Sequence, residues 1–242
     1  MAYHGTVARF YYHDLDMSGF VESVDPTFER ALADVKPLSA SAVARVAGGR
    51  LVSVSLAGLY DAAPPPGLQD RIEDKVWARF AATADTPVVF SYLPAGDAFG
   101  YFAYSGLSLL GSFHAVAGDD VLRLPVAVVG TDDADRGYIL HPLAQETATG
   151  QGTHHDNTAQ TLNGGAAYIH LLSLAGTSID IDIEHADSTG GPWTTILNLN
   201  AMTAPGSQMG RIAAGTTVKR WTRAKWVLTG TNATFFVLFA RR

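Results

Sequence analysis

From Leu51 to Gly58 the chain alternates: Leu51, Ser53, Ser55 and Ala57 point one way, and Val52, Val54, Leu56 and Gly58 the other. A period of two marks a strand with one face buried and the other wet or in contact with a partner. Gly48-Gly49 just before it signals a turn. The run closes a stretch that opens at Asp14-Leu15-Asp16-Met17-Ser18-Gly19-Phe20. Between the two ends lie Thr27 to Val35, then Lys36-Pro37-Leu38, then small residues up to Ala47. The whole stretch reads as paired strands joined by a long loop of small residues. Loops of that length in compact domains are usually functional.

The same patterning places the other elements. Ala8 to Tyr12 and Phe20 to Val24 read as strands, and Asp25-Pro26 as a turn. Leu68, Ile72, Val76 and Phe80 recur every four residues with Trp77 beside them, which predicts one amphipathic helix over Leu68 to Ala82. Thr86 to Leu93, Ser108 to Val116 and Val121 to Val129 are strands. Pro125 puts the last of these at an edge or a bulge, since proline cannot donate to a ladder. Between Gly137 and Gly165 no periodicity survives, so this part reads as a linker or a surface arm. From Ala166 a second strand pattern begins. Ser178 to His185 alternates Ile inward and acid outward, and Thr216 to Leu228 and Ala233 to Ala240 are expected to pair around Thr229-Gly230-Thr231-Asn232.

The expected fold is therefore mainly β: a β-sandwich or half-barrel with one flanking α-helix, plus a second small antiparallel β-sandwich. The expected division is residues 1–140, a linker or arm at 141–165, and a C-terminal module at 166–242.

Composition narrows the function classes. The chain has 242 residues, 0 Cys and a formal net charge of -6. Lack of cysteine excludes disulfides, thiol catalysis and Cys-based zinc sites. No apolar run is long enough for a membrane helix, and no signal peptide is visible at the N-terminus. Residues 1–140 hold 10 Lys and Arg against 17 Asp and Glu, whereas residues 141–242 hold 7 against 6. An acidic half argues against gripping nucleic acid, which needs clustered cations. Phosphate-binding glycine loops and the Gly-x-Ser-x-Gly elbow are missing, so no enzymatic activity and no cofactor are expected.

Several local clusters carry residue types capable of binding. His154-His155-Asp156 offers metal-ligand types, but adjacent histidines in an extended loop point apart, which favours solvated side chains. Asp180, Asp182 and Glu184 share one strand face; a solvated row is favoured over a calcium site. Asn232-Ala233-Thr234 matches a glycosylation acceptor and is read as part of a hairpin turn. Lys219, Trp221, Arg223 and Lys225 share a face, with Arg220 and Trp226 on the other. Trp193, Trp221 and Trp226 are candidate ligand-binding aromatics. The basic row is expected instead to pair with the acidic row across the sheet.

Four runs carry a resemblance. Asp16-x-Ser18-Gly19-Phe20, followed by Gly49-Arg50-x-x-Ser53-Val54-Ser55-Leu56-Ala57-Gly58-Leu59-Tyr60-Asp61, resembles the major tail tube proteins of long-tailed, siphovirus-type bacteriophages. Gly137-Tyr138-x-Leu140-His141-Pro142-Leu143-x-x-Glu146-Thr147 and the end Thr234 to Arg242 are similar to that group too. The resemblance implies a structural virion protein of the phage tail, assembled in the host cytoplasm. Its subunits would form stacked hexameric rings, associate with other tail proteins, and conduct genomic DNA through an acidic lumen without specific binding or contact with a membrane. Asp34, Lys36, Leu38, Arg45, Arg50, His141 and Glu146 are then candidate contacts between subunits or rings. The alternative is a carbohydrate- or host-surface-binding β-sandwich protein of a phage particle.

Overall fold

Strands dominate the computed structural model, which describes residues 7–35, 44–59, 72–81, 86–114, 116–117 and 122–242. In chain order they are β1 (Arg9–Tyr12), β2 (Leu15–Asp16), β3 (Val21–Val35), β4 (Ala44–Leu59), helix α1 (Ile72–Phe80), β5 (Val88–Leu93), β6 (Phe102–Phe113), β7 (Val116–Ala117) and β8 (Leu122–Gly130). They continue with β9 (Asp135–Glu146), β10 (Gly150–Gln151), β11 (His155–Asp156), β12 (Gly165–Ala186), β13 (Thr194–Met202), β14 (Gly206–Ile212) and β15 (Trp221–Arg241). The chain divides into two units, one of Met1–Gly19, Val88–Ser105 and Asp135–Arg242, the other of Phe20–Pro87 and Gly106–Ala134. This cuts the sequence differently from the expected boundaries near 140 and 166, because the second unit is inserted into the first in two pieces.

The first unit is built on the β12–β15 ribbon. β12 pairs with β15 along its whole length, from Gly165↔Arg241 to Ala186↔Trp221. On its other edge β12 carries β14 along its first half and β13 along its second. The order then runs β15–β9–β6–β5–β1–β2. A straight strand of about nine residues spans ~30 Å, yet the rings of Trp226 and Phe235, nine apart on β15, have centroids 5.5 Å apart. The ribbon must therefore fold over on itself. The crease lies at Gly176 and Gly230, where backbone packs on backbone: a Cβ on Gly176 would sit 2.5 Å from the Gly230 Cα. Register shifts cluster there, between Ala175/Gly176 and Gly176/Ser178.

Folding the ribbon makes a sandwich. Ile179, Ile181, Ile183, Ala224 and Trp226 from one half meet Ala167, Ile169, Leu171, Phe235, Val237 and Phe239 from the other. On β15 the inward set is even-numbered before the crease and odd-numbered after it. A one-residue slip flips a strand's face, so the shifts at the crease are what keep both halves apolar inward. The opposite face of the later half is buried as well: Tyr11 packs on Phe236 at 5.3 Å and on His170 at 5.7 Å. β1 and β5 thus form a third layer.

That layer holds a polar chain. His170 Nδ1 lies 2.7 Å from the His13 carbonyl oxygen, which can only accept, so Nδ1 donates. Nε2 must then accept from the Ser91 hydroxyl at 2.8 Å, and Ser91 accepts from Ser105 at 2.6 Å. The side-chain polar atoms of His170, Ser91 and Ser105 are thereby all partnered, as burial requires. His170 is held neutral: desolvation pushes its pKa down to about 4.

The second unit is an antiparallel sheet in the order β3–β4–β8–β6, with the two-residue β7 pairing with β8 beyond the end of β6. Val52, Val54 and Leu56 of β4 and Leu124, Val126 and Val128 of β8 are buried, while Leu51, Ser53 and Ser55 are exposed. The alternation expected for this run is what the structure has. α1 covers the described part of the expected helix up to Phe80: Val76 is buried, and Trp77 and Phe80 lay their rings on Phe113 at 5.6 and 5.5 Å. Leu68 to Arg71 of the expected helix lie outside the described residues.

Five expectations are corrected. Gly48-Gly49 is not a turn but lies inside β4, which already pairs with β3 from Ala44 to Ala47, where a loop was expected. Asp25-Pro26 is not a turn but lies inside β3, where proline is tolerated because β3 has only β4 beside it among the described residues. β8 is central rather than at an edge; Pro125 sits where β6 has ended, its carbonyl accepting from His114 N–H at 3.3 Å. Residues 137–165 are no linker, for β9, β10 and β11 all pair with β15. Thr229 to Asn232 is no hairpin turn: the strands on both sides of it pair with β12, not with each other.

Candidate functional site

β3 and β4 form a hairpin longer than the sheet that supports it. β4 pairs with β8 only from Ser53 to Leu59, whereas β3 and β4 remain paired out to Val35↔Ala44. Residues 29–35 and 44–51 therefore form a two-stranded ribbon past the end of β8, with Phe28 at its base. Phe28, Leu32 and Leu51 on it are 47%, 59% and 57% exposed. Val129, diagonal to Leu51 on the same outer face, is exposed as well. An isolated two-stranded ribbon is marginal in water, and apolar side chains left on it enlarge that deficit. The outer edge of β3 also leaves a row of backbone N–H and C=O groups without a strand partner among the described residues.

The proposed contact residues distribute unevenly. Asp34 and Arg45 are registered opposite each other on the ribbon, and Arg50 lies opposite Arg30. Lys36 and Leu38 fall outside the described residues. His141 is a core residue, not a surface contact: it is buried, stacks on Phe235 at 4.3 Å and abuts Trp226 at 4.8 Å. Its Nε2 lies 3.2 Å from Glu146, and burial pushes its pKa down. Glu146 is thereby turned toward its own core rather than outward.

In the first unit, the folded ribbon gathers an aromatic and cationic face. Trp221, Arg223 and Lys225 alternate outward on β15, with Thr222, Ala224 and Trp226 inward. Trp226 is only 5% exposed and donates its indole N–H to the Ala148 carbonyl at 2.9 Å, which removes it from the ligand-binding candidates. Trp193, just before β13, lies under the Arg223 guanidinium at 4.3 Å. His154 stands 6.0 Å from Trp193 and 5.4 Å from Trp221. The expected cross-strand pairing occurs at Glu184, which takes Arg223 at 2.6 Å and Lys225 at 3.2 Å. Asp182 instead accepts from Asn198 at 2.6 Å on its other neighbour. Lys219 pairs with Asp187, and Arg220 with Asp156. His154 was not singled out with the tryptophans in the sequence, because a non-adjacent loop brings it there.

Glu184 is buried, so its ion pairs are not surface decoration. Arg223→Ala should lower stability by about 2–3 kcal/mol, since it leaves a buried carboxylate with one cation. Urea unfolding followed by tryptophan fluorescence measures it; a change within ~0.5 kcal/mol, the size of an ordinary surface substitution, would contradict the assignment.

His154 and His155 point to opposite sides, as expected, His155 stacking on Tyr138 at 4.3 Å. Groups of three or more metal-ligating side chains are not found among the described residues.

No family model matches the chain, and no curated protein does. Among solved structures, it is similar to a chain of the virion of a native gene transfer agent particle, at 16% identity over 56% of this chain and 98% of that one, with a TM-score of 0.41. The Dit protein of phage SPP1, described as a paradigm of the hub adsorption apparatus in phages infecting Gram-positive bacteria, matches at 11% identity over 97% of this chain and 100% of that one, with a TM-score of 0.38. A chain from the tail of an empty gene transfer agent particle, refined with C6 symmetry, matches at 16% identity over 55% and 97%, with a TM-score of 0.39.

Proposed function

We propose that the chain is a structural subunit of a phage tail, a tail tube protein that assembles with copies of itself into stacked hexameric rings. The observation that carries the reading is the β3–β4 ribbon, which runs on past β8 with Phe28, Leu32 and Leu51 exposed. Among the described residues β3 has no second neighbour, and a strand or an apolar cover from another molecule would complete such a ribbon. The resemblance of the Gly49 to Asp61 run to tail tube proteins falls on the strand that forms it. The acidic balance of residues 1–140 suits a wall along which DNA slides, because repulsion prevents tight phosphate contacts. The role needs no catalytic centre.

Leu51→Asp combined with Phe28→Asp should leave the circular dichroism spectrum unchanged and abolish assembly, with the larger species in sedimentation velocity replaced by monomer. Assembly that survives both substitutions would remove the ribbon from the interface.

A second reading has its own observation. The face of Trp193, Trp221 and His154, with Arg223 above the Trp193 ring, is an aromatic platform of the type that stacks on sugar rings. Under this reading the first unit attaches the particle to a glycan-bearing surface. Trp221→Ala should then lose at least tenfold in binding on a glycan array; full retention would dismiss the platform.

A further inference from the structure

We propose that a pocket on the first unit binds the oxyanion of a small ligand, a carboxylate or a phosphate group. Its volume is about 240 Å³, and Arg136, Tyr138, Asp156, Asn157, Thr158 and Arg241 line it. That is room for a ligand smaller than a drug-sized molecule.

The charge arrangement selects the ligand. Arg136 and Tyr138 alternate on one face of β9, and Tyr138 is registered opposite Phe239 on β15. Carrying that register on by two residues places Arg241 across from Arg136. Like charges directly opposite on neighbouring strands destabilise a sheet. Neither guanidinium has a carboxylate partner among the described residues. Arg136 lies over the Phe102 ring at 4.3 Å, and Arg241 donates to the Ala159 carbonyl. Arg241 is partly desolvated, which pushes its pKa down. A bound anion would relieve the repulsion and offset the cost of the desolvation.

Asp156 does not fill that role. Arg220 takes both its oxygens, at 2.7 and 2.6 Å, and Thr158 N–H donates to Oδ1 at 2.7 Å. Its charge is therefore matched by a guanidinium outside the pocket lining. The same contacts hold Thr158 at φ 67°, a left-handed conformation that a β-branched residue rarely adopts. Asn157 is fixed by donating to the Arg220 carbonyl and the Thr222 hydroxyl. Tyr138, its ring stacked on His155, supplies a flat wall beside the cations. Two arginines in this setting suit the paired oxygens of a carboxylate or phosphate.

The test is calorimetric titration of the full chain at low ionic strength with glucose 6-phosphate, with glucuronate, and with glucose as the uncharged probe. The proposal expects at least one anionic probe to bind with Kd below about 1 mM, glucose not to bind, and Arg136→Gln to weaken the anion at least tenfold. Arg136 is exposed, so this variant keeps the fold, which circular dichroism verifies. The stronger of the two anionic probes tells phosphate from carboxylate. Absence of binding by both anions, binding of glucose equal to theirs, or unchanged affinity in Arg136→Gln overturns the proposal. None of these outcomes depends on ring assembly.

Discussion

Gly176→Ala is expected to destabilise the protein by about 3 kcal/mol, within the range of overpacking a filled site. The added Cβ would meet the Gly230 Cα at 2.5 Å and the Thr229 carbonyl oxygen at 2.6 Å. Both are backbone atoms, so no side chain can swing away to make room. The only relief is to open the crease, and the crease holds the two halves of the sandwich together. A loss of that size corresponds to a Tm lower by roughly 6–12 °C for a chain of this length. Gly190→Ala is the matched control, since nothing lies within 4 Å of the Cβ it would add. Differential scanning calorimetry of both variants decides the matter. Equal Tm values would mean that the ribbon does not close at Gly176.

The second large effect concerns acid. His170 has a pKa of about 4 in the folded chain against 6.5 for the free side chain. The unfolded state then binds the proton more readily, so stability rises with pH. The contribution is complete above pH 6.5 and is lost as pH falls toward 4. The depression corresponds to about 3 kcal/mol. Burial lowers His141, His155 and His185 as well, so they act in the same direction. Urea midpoints measured between pH 7.5 and 4.5 should therefore fall steeply for the native chain. His170→Gln keeps a donor and an acceptor but cannot titrate; it should be less stable at pH 7.5 and show a flatter curve below 6.5. Parallel curves for the two proteins would show that His170 titrates normally.

What could be read from the sequence follows from which strands have one wet face. β4 alternates cleanly because Leu51, Ser53 and Ser55 face outward, and its pattern identified strand and inward face together. The Ile179, Ile181, Ile183 row was legible for the same reason. β9 was not, because Ile139, Leu140 and His141 are buried in succession, and a strand covered on both faces has no period of two. β10 and β11, two residues each, are too short to carry a pattern. The crease misled in a different way. Gly230 between Thr229 and Thr231 reads locally as a turn, and only the pairing of both flanks with β12 shows that one ribbon is folding. His141 and Trp226 read as surface candidates by residue type; their burial comes from contact with Phe235, nine residues from Trp226 along the same strand. The two arginines of the pocket escaped notice because they are far apart in the chain, on β9 and at the end of β15.

Assembly is the claim on which the functional reading rests. Negative-stain electron microscopy of the purified chain, over a range of concentration and salt, addresses it directly. The reading predicts rings or tubes for the native chain, and none for the Phe28→Asp, Leu51→Asp double variant. Isolated particles of 25.7 kDa under every condition would contradict it.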